Sequence, residues 1–281
     1  MRPEFRRPRR VRDYIGAMAR PRRRRAWLWL STGVCLAVLG LLAGFALRAH
    51  AAGPPVIGKL TWLGQSAFVL ETASGTRIVM DPIPKGLGYD LPAGLRADAI
   101  TISHEHPDHN NVALVTNKAR VLRGLTADKK GWTRIDEKVK DVSIRSVGVY
   151  HDDKRGAERG LNTVFVFEFG GLRIAHLGDL GHVLTDEQLS AIGQVDVVLV
   201  PVGGVYTLDA YQATRVIDQL HPRLVVIPMH YRTPPLTIKE LEPVDEFLEQ
   251  KVNVRHEPTN TLELTPVKAR PAVQIVVLNW K

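Results

Sequence analysis

Cysteine is nearly absent: the 281-residue sequence holds one, Cys35. That excludes a disulfide framework within the chain and a thiolate zinc cluster, and it says little about compartment. Net charge is also missing where a nucleic-acid binder would need it. The chain totals +9, but residues 1–48 carry 12 arginines, no lysine and only Glu4 and Asp13 as acids, or +10. The remaining 26 basic and 27 acidic residues leave the body at −1. A near-neutral body is a poor funnel for a polyphosphate backbone, so no nucleic-acid partner is expected. Internal repeats are lacking, and no low-complexity segment lies beyond the Arg-rich tail. The length allows one large domain or two small ones.

Long uncharged runs are lacking too, with one exception. Residues 26–47 hold 22 residues without a charge, directly after Arg22-Arg23-Arg24-Arg25. A helix of that length, at about 1.5 Å per residue, just spans a hydrocarbon core. The expected organisation is a basic cytoplasmic tail at 1–25, a transmembrane anchor or signal h-region at 26–48, a linker at 49–56 and one domain at 57–281. By the positive-inside rule the body lies across the membrane, on the periplasmic side. The alternative is export after cleavage near Ala51, since Ala49-His50-Ala51 has the A-x-A form. The run is long for a signal h-region, which favours the anchor. Arg24-Arg25-Ala26-Trp27-Leu28 loosely resembles a twin-arginine signal, and Thr32-Gly33-Val34-Cys35 does not resemble a lipoprotein box.

In the body, short apolar segments alternate with turn signals. Strands are predicted at 59–63, 67–71, 76–80, 98–103, 139–149, 163–169, 172–177, 196–201, 224–228 and 274–278. Helices are predicted at 185–192, 209–220 and 241–250. The Gly- and Pro-rich stretch 84–94 reads as loop. Strand ends repeatedly deliver His or Asp. The sum is an α+β sheet sandwich covered by helices, with a site at the strand edge.

One segment carries chemistry. His104-Glu105-His106-Pro107-Asp108-His109 follows the apolar strand at 98–103. Four coordinating groups within six residues cannot all pack as core. His104 and His106 can face one way from extended chain, and Asp108 and His109 follow after Pro107 turns the backbone. Imidazole and carboxylate together suit Zn²⁺, Mn²⁺ or Fe²⁺.

The hexapeptide resembles the signature of the metallo-β-lactamase superfamily. Residues that match the family's later motifs follow in order: Val149-Tyr150-His151, Leu177-Gly178-Asp179 and Pro228-Met229-His230, with Asp81-Pro82 as the early match. The resemblance covers roughly residues 57–265. It implies a four-layer αβ/βα sandwich for the metallo-hydrolase domain at 57–281. It also implies two divalent metal ions, zinc foremost, with Mn or Fe able to take the same donors. His104, His106 and His151 would hold the first. Asp108, His109 and His230 would hold the second. Asp179 would bridge them, and Asp81 would orient ligands. The diiron oxygen-reducing branch is similar but uses Glu where this chain has His106, so the hydrolytic branch fits better. Within it, Trp62-Leu63-Gly64-Gln65-Ser66-Ala67-Phe68, Arg159-Gly160-Leu161-Asn162-Thr163 and His176-Leu177-Gly178-Asp179-Leu180-Gly181-His182 resemble the ascorbate-6-phosphate lactonase-like group and phospholipase D enzymes acting on N-acyl phosphatidylethanolamines. Gln65 departs from the His that many relatives carry.

What the resemblance implies is a metal-dependent hydrolase. A hydroxide bound by the metal pair would attack an ester, lactone or phosphodiester. Asp108 and Asp179 would be catalytic through the metals, and His182, three residues past Asp179, would give a proton to the leaving group. Glu105 is an alternative base. Asn162 and Tyr206 are pocket candidates, with 84–94 and 203–207 as candidate walls. His176 reads as a packed strand residue, and His221 and His256 as surface residues. A small-molecule or lipid-like substrate is expected. Two other classes stay open: a non-catalytic metal-binding envelope protein and a metallo-nuclease. Oligomeric state is not readable from these features.

Overall fold

In the computed structural model, which describes residues 55–266 and 272–281, the run Ala67-Phe68-Val69-Leu70 is buried along its whole length. Alternate side chains enter different cores. Phe68 and Leu70 join the large core between the sheets. Ala67 and Val69 join a smaller one on the opposite face. A period of two with both faces covered hides the alternation that would mark a half-exposed strand.

That strand is β2 (Ala67–Thr72) of a sheet containing β1 (Gly58–Gly64), β3 (Arg77–Met80), β4 (Ala99–Ile102), β5 (Arg120–Arg123) and β13 (Thr261–Leu264). Their order is β13-β1-β2-β3-β4-β5. The second sheet runs β12-β14-β11-β10-β9-β8-β7-β6. Its strands are β6 (Asp136–Val139), β7 (Val142–Tyr150), β8 (Leu161–Phe169), β9 (Leu172–His176), β10 (Val197–Pro201), β11 (Val225–Met229), β12 (Val254–His256) and β14 (Gln274–Val277). β6 to β9 pair antiparallel, whereas β9, β10, β11, β14 and β12 are parallel neighbours. Trp62, Phe68, Phe165 and Phe167 fill the large core. Fully burying one such side chain contributes on the order of 1.5–3 kcal/mol.

The helices are α1 (Asp186–Ile192), α2 (Ala210–Leu220) and α3 (Val244–Leu248). α1 and α2 begin with capping boxes, Thr185 with Gln188 and Asp209 with Gln212. α1 packs on β7, and α2 on β10 and α3. The outer face of the six-stranded sheet carries no α-helix among the described residues. Leu87, Tyr89, Leu91 and Leu95 from the loop, with Leu114 and Val115 beside a 3₁₀ turn, cover it instead. The architecture is therefore α+β with two stacked sheets, but one of the two helical layers expected from the sequence is replaced by irregular chain.

Three further expectations change. The strand predicted at 139–149 is the hairpin β6–β7, broken where Lys140 takes a left-handed φ of 53°. The helix predicted at 241–250 narrows to α3. Strands β5, β12 and β13 were not predicted. The first and last of these are the edges of one sheet and β12 is an edge of the other. Edge strands expose much of their length and so carry little apolar pattern. The expected tail, anchor or signal segment and the linker up to 54 lie outside the described residues. Among the described residues no helix is long and apolar enough to cross a membrane.

Candidate metal centre

Five strands end at one place. Asp81 follows β3, His104 follows β4 and Ser103, His151 follows β7, Asp179 follows β9 and His230 follows β11. The strands are anchored in the cores by their apolar side chains, and a His or Asp within three residues of each end is thereby delivered to the rim of the sandwich. His106, Asp108 and His109 lie on the bends that continue from β4.

The centre is organised around one carboxylate oxygen. Asp179 Oδ2 stands 3.2 Å from His109 Nε2, 3.3 Å from His151 Nε2, 3.3 Å from His230 Nε2 and 3.8 Å from His104 Nε2. Its other oxygen accepts from Ser66 Oγ at 3.3 Å, and its backbone N–H donates to Asn162 Oδ1 at 3.2 Å. Gly178 precedes it at φ 53°; an added Cβ there would lie 2.5 Å from Asn162 Oδ1 and 2.7 Å from Ser103 Cβ. Glycine is required at that approach.

The predicted ligands fall into two groups: His104, His106 and His151, and Asp108, His109 and His230, each with donor atoms within 4.8 Å of one another. Two donors each about 2.0–2.2 Å from a tetrahedral ion are about 3.3–3.6 Å apart. The separations around Asp179 are close to that. His104 Nε2 and His109 Nε2 are buried without a hydrogen-bond partner, a costly arrangement for a polar atom unless a cation takes its lone pair. These residues fit metal ions.

Asp81, His104 and His109 also cluster closely, but Asp81 is already engaged. Its Oδ1 accepts from the Ser103 N–H at 2.7 Å. Its Oδ2 accepts from Ser103 Oγ and, at 3.0 Å, from His109 Nδ1. The Ser103 hydroxyl, its proton used on Asp81, accepts from His104 Nδ1 at 3.0 Å. One buried carboxylate thus sets the tautomer of two histidines and turns both Nε2 atoms inward.

Electrostatics agree with a cation site. Burial pushes the Asp179 carboxyl up, but the facing imidazoles of His109 and His230 outweigh it and hold it well below the usual range. Burial likewise raises Asp108, and the facing imidazole of His109 more than reverses it. Burial drives His104 well down, as it does His106 to a lesser degree. For His109, burial is outweighed by Asp179 and Asp108, which raise it well above the ordinary histidine value. The carboxylates want positive charge at this spot.

His182 is a correction. Its Nε2 accepts from the Tyr150 N–H at 3.1 Å and its Nδ1 donates to Val183 O at 2.8 Å. Both ring nitrogens hold backbone, so no proton is free for a leaving group. Three residues of separation from Asp179 leave it against Tyr150 and Val183, outside the ligand groups. His176 is buried and its Nε2 donates to Ser66 O at 2.8 Å, a packing role as predicted. His221 and His256 are exposed. Glu105 is bound by both oxygens to Arg123 at 2.7 Å. Asn162 is buried and bridges Asp179 N to Leu177 O.

A pocket of about 650 Å³ opens over the centre, touching His106, Asp108, His151, Asp179 and His230. Tyr206 lines it, as predicted. Pro84 and Leu87 form a second wall together with Thr237, Ile238 and Glu240. The two loops are joined by the Thr237 N–H to Leu87 O bond at 3.0 Å and by Tyr89 Oη with Thr233 Oγ1 at 2.8 Å. The 237–240 wall and the place of Arg159 at the rim were missed. Neither has a local signal, since both depend on contacts distant in sequence.

A model of the β-lactamase superfamily domain matches residues 59–230, more than half of the chain. The chain belongs to the metallo-β-lactamase superfamily. Among its relatives, a UPF0173 metal-dependent hydrolase of Anaeromyxobacter sp. (strain K) is 32% identical over 231 residues, 70% of this chain and 83% of the relative. Another from Archaeoglobus fulgidus is 28% identical over 205 residues, covering 66% and 87%. Among solved structures, a candidate Zn-dependent hydrolase of the superfamily from Thermotoga maritima is 38% identical with a TM-score of 0.62, covering 79% of this chain and 98% of that one. The expectation of a metal-dependent hydrolase of this superfamily agrees with the names these relatives carry.

Proposed function

We propose that the chain is a hydrolase working with two divalent ions, zinc foremost, on an ester, lactone or phosphodiester. The observation that carries the reading is Asp179 Oδ2 standing between two ligand groups, within 3.2–3.8 Å of four imidazole nitrogens. His104, His106 and His151 would hold one ion; Asp108, His109 and His230 would hold the other, with Asp179 shared. When bound, such a pair supplies a polarised scissile oxygen and water ionised near neutral pH. The chain's own part is positional. Asp81 and Ser103 aim two imidazoles, Asn162 and Ser66 fix the shared carboxylate, and the pocket brings the scissile bond to the rim. The ascorbate-6-phosphate lactonase-like or N-acyl phosphatidylethanolamine phospholipase D-like branch is our preferred placement, resting on the sequence motifs around Gln65, Asn162 and Asp179.

Elemental mass spectrometry of protein purified without added metal tests the ligand assignment. About two equivalents per chain are expected, with loss of metal and of turnover on chromogenic esters in Asp179→Ala. A chain that takes up no Zn²⁺ or Mn²⁺ on reconstitution would overturn it.

We further propose that the uncharged run at 26–47 tethers the domain to a membrane on the extracytoplasmic side, which favours a lipid-like substrate. Flotation of the full chain with liposomes, against a chain lacking residues 1–51, tests this; equal recovery of both would refute it.

A further inference from the structure

Among the described residues Arg159 is the one arginine or lysine lining the pocket over the metal centre, and it also borders a smaller cleft of about 240 Å³ beside His106. It is held in place from two directions. The first is its own loop. Asp152, buried next to His151, accepts four backbone N–H groups: Lys154 and Gly156 on Oδ1, Glu158 and Arg159 on Oδ2, at 2.7–3.0 Å. The loop after a ligand histidine is thereby wound round one carboxylate that ends on the Arg159 amide.

The second is the segment 204–206. Arg159 Nη2 donates to Val205 O at 2.9 Å, and its guanidinium lies 5.0 Å from the Tyr206 ring centroid. Val205 has φ 55°, and Tyr206 N–H bonds back to Gly204 O. This is a γ-turn with a β-branched residue at its strained centre. Strain of that kind persists where surrounding contacts demand it, and here it presents a carbonyl to the guanidinium.

The guanidinium is otherwise unspent. Glu158 pairs with Lys154, Glu105 with Arg123, and no carboxylate of the described residues forms an ion pair with Arg159. A half-buried, pre-positioned fork of donors beside the catalytic centre matches an anionic oxygen group. The second wall sets apolar Pro84, Leu87 and Ile238 beside Thr237 and the exposed carboxylate of Glu240, so Arg159 is the cationic side of the pocket and Leu87 and Ile238 its apolar part. We infer that Arg159 is a specificity-determining residue that binds a phosphate or carboxylate of the substrate next to the scissile bond, the apolar part of the substrate lying against Leu87 and Ile238.

The assignment rests on the hydrolase reading for its kinetic arm only. Inorganic phosphate and glutarate are titrated calorimetrically into the Zn²⁺-loaded full chain and its Arg159→Gln, Arg159→Met and Arg159→Lys variants, with melting temperatures recorded. The Gln and Met variants are expected to bind at least one anion roughly 10- to 100-fold more weakly, with Lys between them and the wild type. Loss for phosphate alone assigns a phosphate, and loss for glutarate alone a carboxylate. In the kinetic arm, KM for the mono-p-nitrophenyl ester of glutarate should rise while p-nitrophenyl butyrate is unaffected. Folded variants that bind both anions as the wild type does, or that lose both esters equally, would overturn the inference. A wild-type chain inert on both esters would count against the hydrolase reading, and the titrations would still decide the role of Arg159.

Discussion

Both oxygens of Asp81 are committed, one to the Ser103 N–H and the other to the Ser103 hydroxyl and His109 Nδ1. Asparagine there could keep one acceptor but would turn an NH₂ toward two donors. We expect Asp81→Asn to weaken Zn²⁺ affinity about 10- to 100-fold, read by competition with a chromophoric chelator; unchanged affinity would remove Asp81 from the orienting role. The residue scale also shows what single-letter spacing hides. His182 lies close to Asp179 in sequence, yet both its nitrogens serve backbone groups. Asn162, noted only as a pocket candidate, bridges the Asp179 amide and Leu177 O. A side chain's hydrogen-bond partners decide its role, and these partners come from other strands.

At the scale of elements, the strands act as rulers. β4, β9 and β11 are buried along most of their length and β7 at alternate positions, and each releases a candidate ligand past its end. Sliding one by a residue would turn its side chains to the other face, so core packing sets the ligand register. Helices contribute stability more than chemistry. Asp209 caps α2 by accepting from the Gln212 N–H at 2.7 Å. Asp209→Ala should lower unfolding free energy by about 1 kcal/mol in urea titration while metal content stays as in the wild type. A loss of metal in that variant would show that α2 supports the centre more directly than its contacts with β10 and α3 imply.

For the whole molecule, the centre ties the two sheets together. His104 and Asp81 come from the six-stranded sheet, and His151, Asp179 and His230 from the eight-stranded one. Ions bound between them would stabilise the folded state alone. At free metal near 100 times Kd that is about 2.7 kcal/mol, or about 5–10 °C in melting temperature for a domain of this size. Chelation should therefore lower the calorimetric Tm by about that much, and Zn²⁺ should restore it. An unmoved Tm would mean that the two sheets are held without the ions.

The sequence alone determined one dense candidate cluster, four coordinating groups in the six residues 104–109, and its resemblance to a known family implied the remaining donors and their order. It also determined most core strands, because apolar runs between turn signals are local. The tertiary structure decided the rest. It grouped the ligands around Asp179, withdrew His182, replaced a helical layer with the loop that includes 87–95, and added the edge strands. It also brought Arg159 to Val205 and the 237–240 segment over the centre. All of these depend on contacts between residues far apart in the chain, and neither composition nor periodicity encodes which distant groups meet.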